Sequence, residues 1–400
     1  MRVLEDYFLQ TKFAGVNIEF DPAVFKNFLI VHDINRLVGT FSTEISDAQG
    51  LVHLVPTDED FGTVKVSAGK SPEDEDTSNE YDFAVYRWKP KGVNAISNKL
   101  KIEGITEVDE LFAPCKSRAW NKSIKEIIEG LAGDLGVDNI DVSDSLDYKK
   151  NIVQSYVSNL DFLMDLKPRL IGKDGEYNYQ MFIKNEKGKK VFVCKSQDEL
   201  SKADVVRRFV IADEAYEDQM PVYEYFIMNN KKLFGSLFMG YNYFDYKNSE
   251  FKEVNLYAKN MFSLSEFFLI NKEEEDAEEE IKGTDDFGRN SDFTDDFQGE
   301  AKAHYYKRVN SLVKMWILVG GDINISVGDV VDVFFPFGIQ TGRLLSCQFS
   351  GFWLVERVVQ SFGKTHRTRL LLTRAGVNTD QETTLLKAEK FKKRIKSNES

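Results

Sequence analysis

Apolar and polar residues alternate in short runs through the first 115 positions, at 28–38, 52–55, 62–66, 81–88 and 99–105. Turn-prone or acidic stretches separate the runs, among them Lys70-Ser71-Pro72-Glu73-Asp74-Glu75-Asp76. A period of two with such breaks predicts antiparallel strands with one face in water. Five or six of them in a row predict a small barrel or sandwich. The period changes near Trp120. Ser123 and Glu126 have capping-box spacing, Ile124, Ile127, Ile128 and Leu131 recur on one face, and Gly136 stops the run, so a helix is predicted. A second helix is predicted over 158–170. Ser158 stands three residues before Asp161, Leu160, Leu163, Met164 and Leu166 face inward, and Pro168 ends it. Runs at 177–183 and 190–194 predict a hairpin across Lys187-Gly188.

Residues 204–258 return to strand-like runs rich in Val, Phe and Tyr, and Tyr241, Tyr243, Phe244 and Tyr246 suit subunit contacts or core packing equally. At 301–313 Ala303, Tyr306, Val309 and Val313 have helical spacing. The stretch 320–376 then reads as a strand-turn-strand module. Alternation over 322–327 predicts a strand, Gly328-Asp329 breaks it, and Val331, Val333 and Phe335 continue until Pro336. A strand at 351–359 follows, Gly363-Lys364 makes a turn, and 365–374 returns. In that last strand Leu370 and Leu372 lie on one face, with Arg367, Arg369 and Leu371 on the other.

Composition narrows the function. Hydrophobic residues are 42% of 400, ample for cores, and 31 Phe with 16 Tyr favour strands. The net charge of −13 argues against gripping nucleic acid through its phosphates. Thirteen acidic residues against Lys282 and Arg289 place −11 of it in 273–300, a block expected to be a mobile loop. Cys115, Cys194 and Cys347 are odd in number and far apart, so neither a disulfide framework nor a zinc site is implied. No apolar run is long enough to span a bilayer, and the acidic start lacks the pattern of a signal peptide, so a chain made in the cytoplasm is expected.

Candidate chemistry is sparse. Gly69-Lys70-Ser71 has the end of a phosphate loop, but Val64 stands where that motif needs glycine, and Pro72 with acids replaces the helix. Gly130, Gly133 and Gly136 fall within and at the end of a helix, which suits packing and a cap better than a dinucleotide. His32, His53, His304 and His366 have no close neighbours of their kind, and no catalytic or metal signature accompanies them. Asp285, Asp286, Asp292, Asp295 and Asp296 lack calcium-loop spacing, and Asp161 with Asp165 reads as a polar helix face. No catalytic residue, metal or cofactor is expected. Near the end, Leu385, Leu386, Phe391 and Ile395 lie among lysines and one arginine, a basic amphipathic stretch suited to a partner's groove.

The order of polar strand, Val327-Gly328-Asp329 turn, apolar strand, Phe352-Trp353-Leu354-Val355-Glu356-Arg357-Val358 and Thr368-Arg369-Leu370-Leu371-Leu372-Thr373-Arg374 resembles the closing part of the tube-like barrel in phage baseplate hub proteins. That family includes late control protein D and the base of VgrG-type spikes. The capped helix followed by Gln154-Ser155-Tyr156-Val157-Ser158-Asn159-Leu160-Asp161 is a second point of resemblance. The resemblance implies a mainly β, α+β fold with two tube-like antiparallel barrels and an intervening α/β domain. The expected division is 1–115 for the first barrel, 116–203 for the intermediate domain, 204–235 with 301–378 for the second barrel, 236–300 for an insertion, and 379–400 for the tail. It further implies a non-enzymatic homotrimer in the virion tail baseplate, adapting a six-fold tail tube to a three-fold spike. Partners would be the central spike protein, the tube protein and other baseplate proteins. DNA would pass through without specific binding, and there would be no membrane anchor. Leu385, Leu386, Phe391 and Ile395 would meet the spike. Two rivals stay open: a tail-associated cell-wall hydrolase, and a distal tail protein of a non-contractile phage.

Overall fold

A computed structural model of the chain describes residues 7–13, 16–19, 25–46, 62–70, 78–91, 99–109, 115–173, 177–211, 219–229, 238–245, 250–257, 303, 307, 311, 313–337, 345–346 and 349–374. The first region forms strands β1 (Phe8–Phe13), β2 (Val16–Glu19), β3 (Phe25–Asp33), β4 (Thr40–Ser46), β5 (Thr63–Gly69), β6 (Ser78–Lys91) and β7 (Lys99–Thr106), of which β3, β5, β6 and β7 fall on period-two runs while β1, β2 and β4 were not foreseen. The next group is β8 (Lys116–Ser123), α1 (Ile124–Asp134), β9 (Asn139–Val142), β10 (Lys149–Val157), α2 (Asn159–Leu166), β11 (Tyr179–Glu186), β12 (Lys189–Ser196) and α3 (Gln197–Ser201). Then come β13 (Val205–Val210), β14 (Met220–Asn229), β15 (Phe238–Asp245), β16 (Glu250–Tyr257), β17 (Val313–Gly320), β18 (Val330–Phe334), β19 (Pro336–Phe337), β20 (Leu345–Ser346), β21 (Gly351–Phe362) and β22 (His366–Arg374). The fold is mainly β, as the pattern predicted.

Thirteen of these strands form one sheet in the order β18-β13-β14-β17-β22-β21-β3-β4-β7-β6-β5-β1-β2. Because β18 also pairs with β21, the strands β18, β13, β14, β17, β22 and β21 close a six-stranded barrel. Six strands leave no room for a pore, since about eight are needed before side chains merely fill the inside. The pairing sets Met315 and Val355 opposite Leu372, Ile317 opposite Leu370, and Val331 opposite Trp353. All of these are buried in one cluster. The remaining seven strands run on from β21 through β3 and pack their Phe-rich face into a second cluster.

Residues 115–204 make a smaller module on a third cluster. Ser123 accepts from the Glu126 amide while the Glu126 side chain accepts from the Ser123 amide, which is the predicted capping box. Ser158 caps α2, and the helix stops at Leu166 before Pro168. Its buried face differs from the prediction. Phe162, Leu163 and Leu166 are buried, whereas Leu160 and Met164 are only partly so, because Phe162 brings more apolar surface to that position. Lys187 (φ 49°) and Gly188 (φ 77°) make the two-residue turn between β11 and β12, whose strands are longer than predicted. Strands β8 and β10 were not foreseen, for neither carries a continuous apolar stripe.

Two other expectations fail. Residues 322–327 form turns, not a strand. Their alternation serves two cores: Ile323 packs with the Phe-rich cluster, Ile325 and Val327 with the barrel cluster. Side chains also divert the backbone, as Asp322 accepts from the Asn324 amide (3.1 Å) and Asp329 from the Ser326 amide (2.8 Å). Val313 opens β17 and is not helical, although Ala303 and Lys307 are. The remaining residues of 301–312 except 311, the run 52–55, the acidic block 273–300 and the tail 379–400 lie outside the described residues.

Candidate functional site: the wet face of the continuous sheet

One face of the long sheet is buried and the other is half wet. On β4, Phe41, Thr43 and Ile45 are buried while Thr40, Ser42, Glu44 and Ser46 are partly exposed. On β7, Leu100 and Ile102 are buried while Lys101, Glu103 and Ile105 are not. The pairings carry this face from the barrel into the strands beyond it, through the buried Leu318 on β17. Glu224 lies opposite Leu318, then follow Arg369, Val359, Val31, Thr40, Ile105, Ala84 and Thr63. This single row crosses nine strands, roughly 38 Å at the usual strand spacing. A one-residue slip anywhere would turn the polar set inward, so the buried face pins the register.

Charges of both signs interleave on this face. Lys65 meets Asp82 (3.5 Å), Arg87 meets Glu103 (3.4 Å), Lys99 meets Glu44 (3.9 Å), and Lys101 also bonds Glu103. The Lys101 hydrogen bond and nearby cations hold Glu103 below the usual carboxylate pKa. Such half-exposed pairs contribute little stability. They do neutralise the surface locally. On β22, Arg367 and Arg369 are exposed, as the alternation predicted, while Leu371 beside them is buried.

The joint between β21 and β3 carries the face across. Arg357 Nη2 lies 2.5 Å from Asp33 Oδ2, and Asn35 donates to Asp33 through its amide (2.9 Å). Burial pushes the Asp33 carboxyl up, but the Asn35 amide and the Arg357 guanidinium outweigh it and hold the acid ionised. Beside it, Lys314 meets buried Glu356 at 2.7 Å. Arg357 and Glu356 were visible in the sequence as polar residues in an apolar strand. Nothing local identified Asp33, 324 positions away, as the partner.

His366 is held by buried polar partners. His366 Nε2 meets Gln360 Oε1 at 2.8 Å, and the Thr368 hydroxyl donates to the same oxygen at 2.7 Å. Burial lowers the pKa of His366 to about 4. His32 is buried on β3, and His53 and His304 lie outside the described residues. A cleft of about 320 Å³ between Lys70 and the barrel's Arg207, Asp322 and His366 holds one carboxylate in its lining, Asp322, paired with Arg207 at 2.7 Å. Gly69 ends β5 and Lys70 is exposed at the bend beyond it. Asp161 accepts from the Ser158 hydroxyl at 2.7 Å. Among the described residues no group of three or more His, Cys, Asp or Glu could hold a metal, and no helix is long and apolar enough to cross a membrane. Leu385, Leu386, Phe391 and Ile395 lie outside the described residues, as does Tyr246. Tyr241, Tyr243 and Phe244 fall on β15, which pairs with β16.

No protein-family model and no curated protein matches the chain. Solved structures do. The 43 kDa tail protein of prophage MuSo2 from Shewanella oneidensis superposes with a TM-score of 0.58 at 10% identity, over 93% of this chain and 100% of that one. The tail protein from Neisseria meningitidis MC58 gives 0.56 at 11% identity, over 93% and 97%. Across nearly its whole length, the chain has the fold of these phage tail proteins.

Proposed function

We propose that the chain is a structural hub subunit of a contractile tail's baseplate. Three copies form a ring that joins the six-fold tail tube to a three-fold spike, and their wet faces line the central channel. The row from Glu224 to Thr63 carries this reading, because it runs along one sheet face, polar at Glu224, Arg369, Thr40 and Thr63, across both strand-rich regions. The barrel interior is packed, so any passage for cargo lies between copies. Interleaved charges on the proposed lining suit a surface that lets a charged polymer slide past. The tube-like units in this reading are 1–115 and 204–235 with 301–378, with 116–203 between them and 236–300 inserted.

Mass photometry of the purified chain, alone and with a candidate spike protein, tests the ring. A trimer in either sample is expected, and a stable hexamer or a persistent monomer in both would reject it. Deleting 273–300 leaves the trimer intact in this reading. The tail meets the spike through Leu385, Leu386, Phe391 and Ile395. Phe391→Ala then weakens spike binding more than Lys393→Ala, with modest salt dependence. Equal losses for the two variants would exclude groove docking.

A further inference from the structure

A small pocket of about 10 Å³, a void between packed side chains, lies where the three parts of the molecule meet. β3 contributes His32 to its lining, β6 Tyr81, β11 Lys184 and Asn185, the turn segment Ser326, and β21 Gln360. The void is close to the size that one water molecule needs.

Its chemistry is specific. The Ile183 amide is already given to Leu37 O (2.7 Å), and His32 hydrogen-bonds the Ile183 backbone, so a ring N–H donates to the Ile183 carbonyl. His32 Nε2 is buried with no partner among the described residues, which makes Nδ1 the donor and Nε2 a bare acceptor. The ring cannot swing away, because Gly39 packs on it so closely that a Cβ there would sit 2.5 Å from Cε1. Asn185, which also lines the void, donates through Nδ2 to Glu80 O (2.8 Å), and its Oδ1 is buried and without a donor among the described residues. Two buried acceptors on residues that line one small space can both be satisfied by one molecule with two donors. Leaving either unmet in the interior is costly.

We propose that this void is a binding site for one internal water molecule, which donates one O–H to His32 Nε2 and the other to Asn185 Oδ1 and so locks the 115–204 module to both strand-rich regions. The surrounding bonds fit a lock. Asn79 Nδ2 donates to Asn185 O (2.9 Å), the Gly188 amide donates to Asn79 Oδ1 (3.0 Å), and Lys167 donates to Ile34 O (3.1 Å).

Protonating His32 replaces the acceptor with an N–H and breaks the bridge. Burial lowers the ring's pKa from 6.5 to about 4. The other ionisable groups facing it oppose or ignore that change. Tyr81 is held neutral by burial, Lys184 is paired with Glu186 at 2.5 Å, and Asp33 is paired with Arg357. Asp329, pushed up to about 6 by burial, takes up a proton earlier.

Crystals of the full chain grown near pH 7 and diffracting well enough to place waters test the site directly. One ordered water within about 3.2 Å of both atoms is expected. A dry void, or a water touching neither atom, overturns the proposal without any variant. Hydrogen exchange tests the lock. The protection factor of the Gly188 amide should fall roughly tenfold per pH unit between pH 6 and 4 in the wild type. His32→Gln keeps an N–H for Ile183 and a carbonyl for the water, so its protection should stay flat over that range. An equal acid loss in His32→Gln, or no loss in the wild type, overturns the lock.

Discussion

The closed barrel and the open run share one sheet yet fill their cores differently. The barrel is packed by Val, Ile and Leu around the fully buried Trp353. The run from β3 outward is packed by rings: Phe28 on Phe41 (6.0 Å between centroids), Phe41 on Phe83 (4.9 Å), and Phe28 edge-on to Phe362 (5.9 Å). Geometry accounts for the difference. A six-stranded ring encloses a narrow space that branched aliphatic side chains fill, whereas the buried face of the other seven strands is covered by large rings. Phe362 and Ile323 come from the barrel half of the sequence but pack in the Phe-rich core, so the two cores interlock at the β21–β3 joint.

The largest effects should come from the two cores. Trp353→Ala and Phe41→Ala should each cost about 3–5 kcal/mol in chemical denaturation. If the sheet acts as one unit, both variants shift a single transition. Two separate transitions, each sensitive to only one variant, would break the comparison by showing that the halves fold independently.

Acid comes next. His32 and His366 have folded pKa values near 4 against 6.5 in the unfolded chain. The unfolded state therefore binds more protons in that window, so stability is full above about 6.5 and falls as the pH drops to 4. The loss is on the order of 3 kcal/mol for each histidine. Asp329 works the other way: its raised pKa of about 6 returns stability as the pH falls below 6. Thermal unfolding of His366→Asn from pH 7 to 4 should lose less stability than the wild type. An unchanged pH profile would show that His366 charges freely in the folded state.

Arg357→Met strips the buried Asp33 carboxylate of its partner and should cost about 1–3 kcal/mol. Ser123→Ala removes a cap inside the helical module and should cost about 1 kcal/mol, with no effect on the joint. On the wet face, Lys65→Ala should stay within about 0.5 kcal/mol. A loss at Lys65 as large as that at Arg357 would erase the distinction between the joint and the exposed face.

Much of this architecture was legible along the chain. The period-two runs placed β3, β5, β6, β7, β21 and β22, and the split of Leu370 and Leu372 from Arg367 and Arg369 was correct because one face is buried over the whole strand. Ser123 with Glu126 located α1, since capping is decided by groups three residues apart. Local signals failed where burial was divided or absent. Ile323, Ile325 and Val327 alternate like a strand, but tertiary structure sends them to two different cores. β8 and β10 are strands without an apolar stripe. The pairing of β21 with β3, the Asp33–Arg357 contact and the nine-strand row join residues hundreds of positions apart. The sequence by itself determined the buried face where alternation is sustained, as with Leu370 and Leu372 on β22. Only the tertiary structure decided which strands meet, because register and long-range pairing depend on the fit of whole faces and not on any local period.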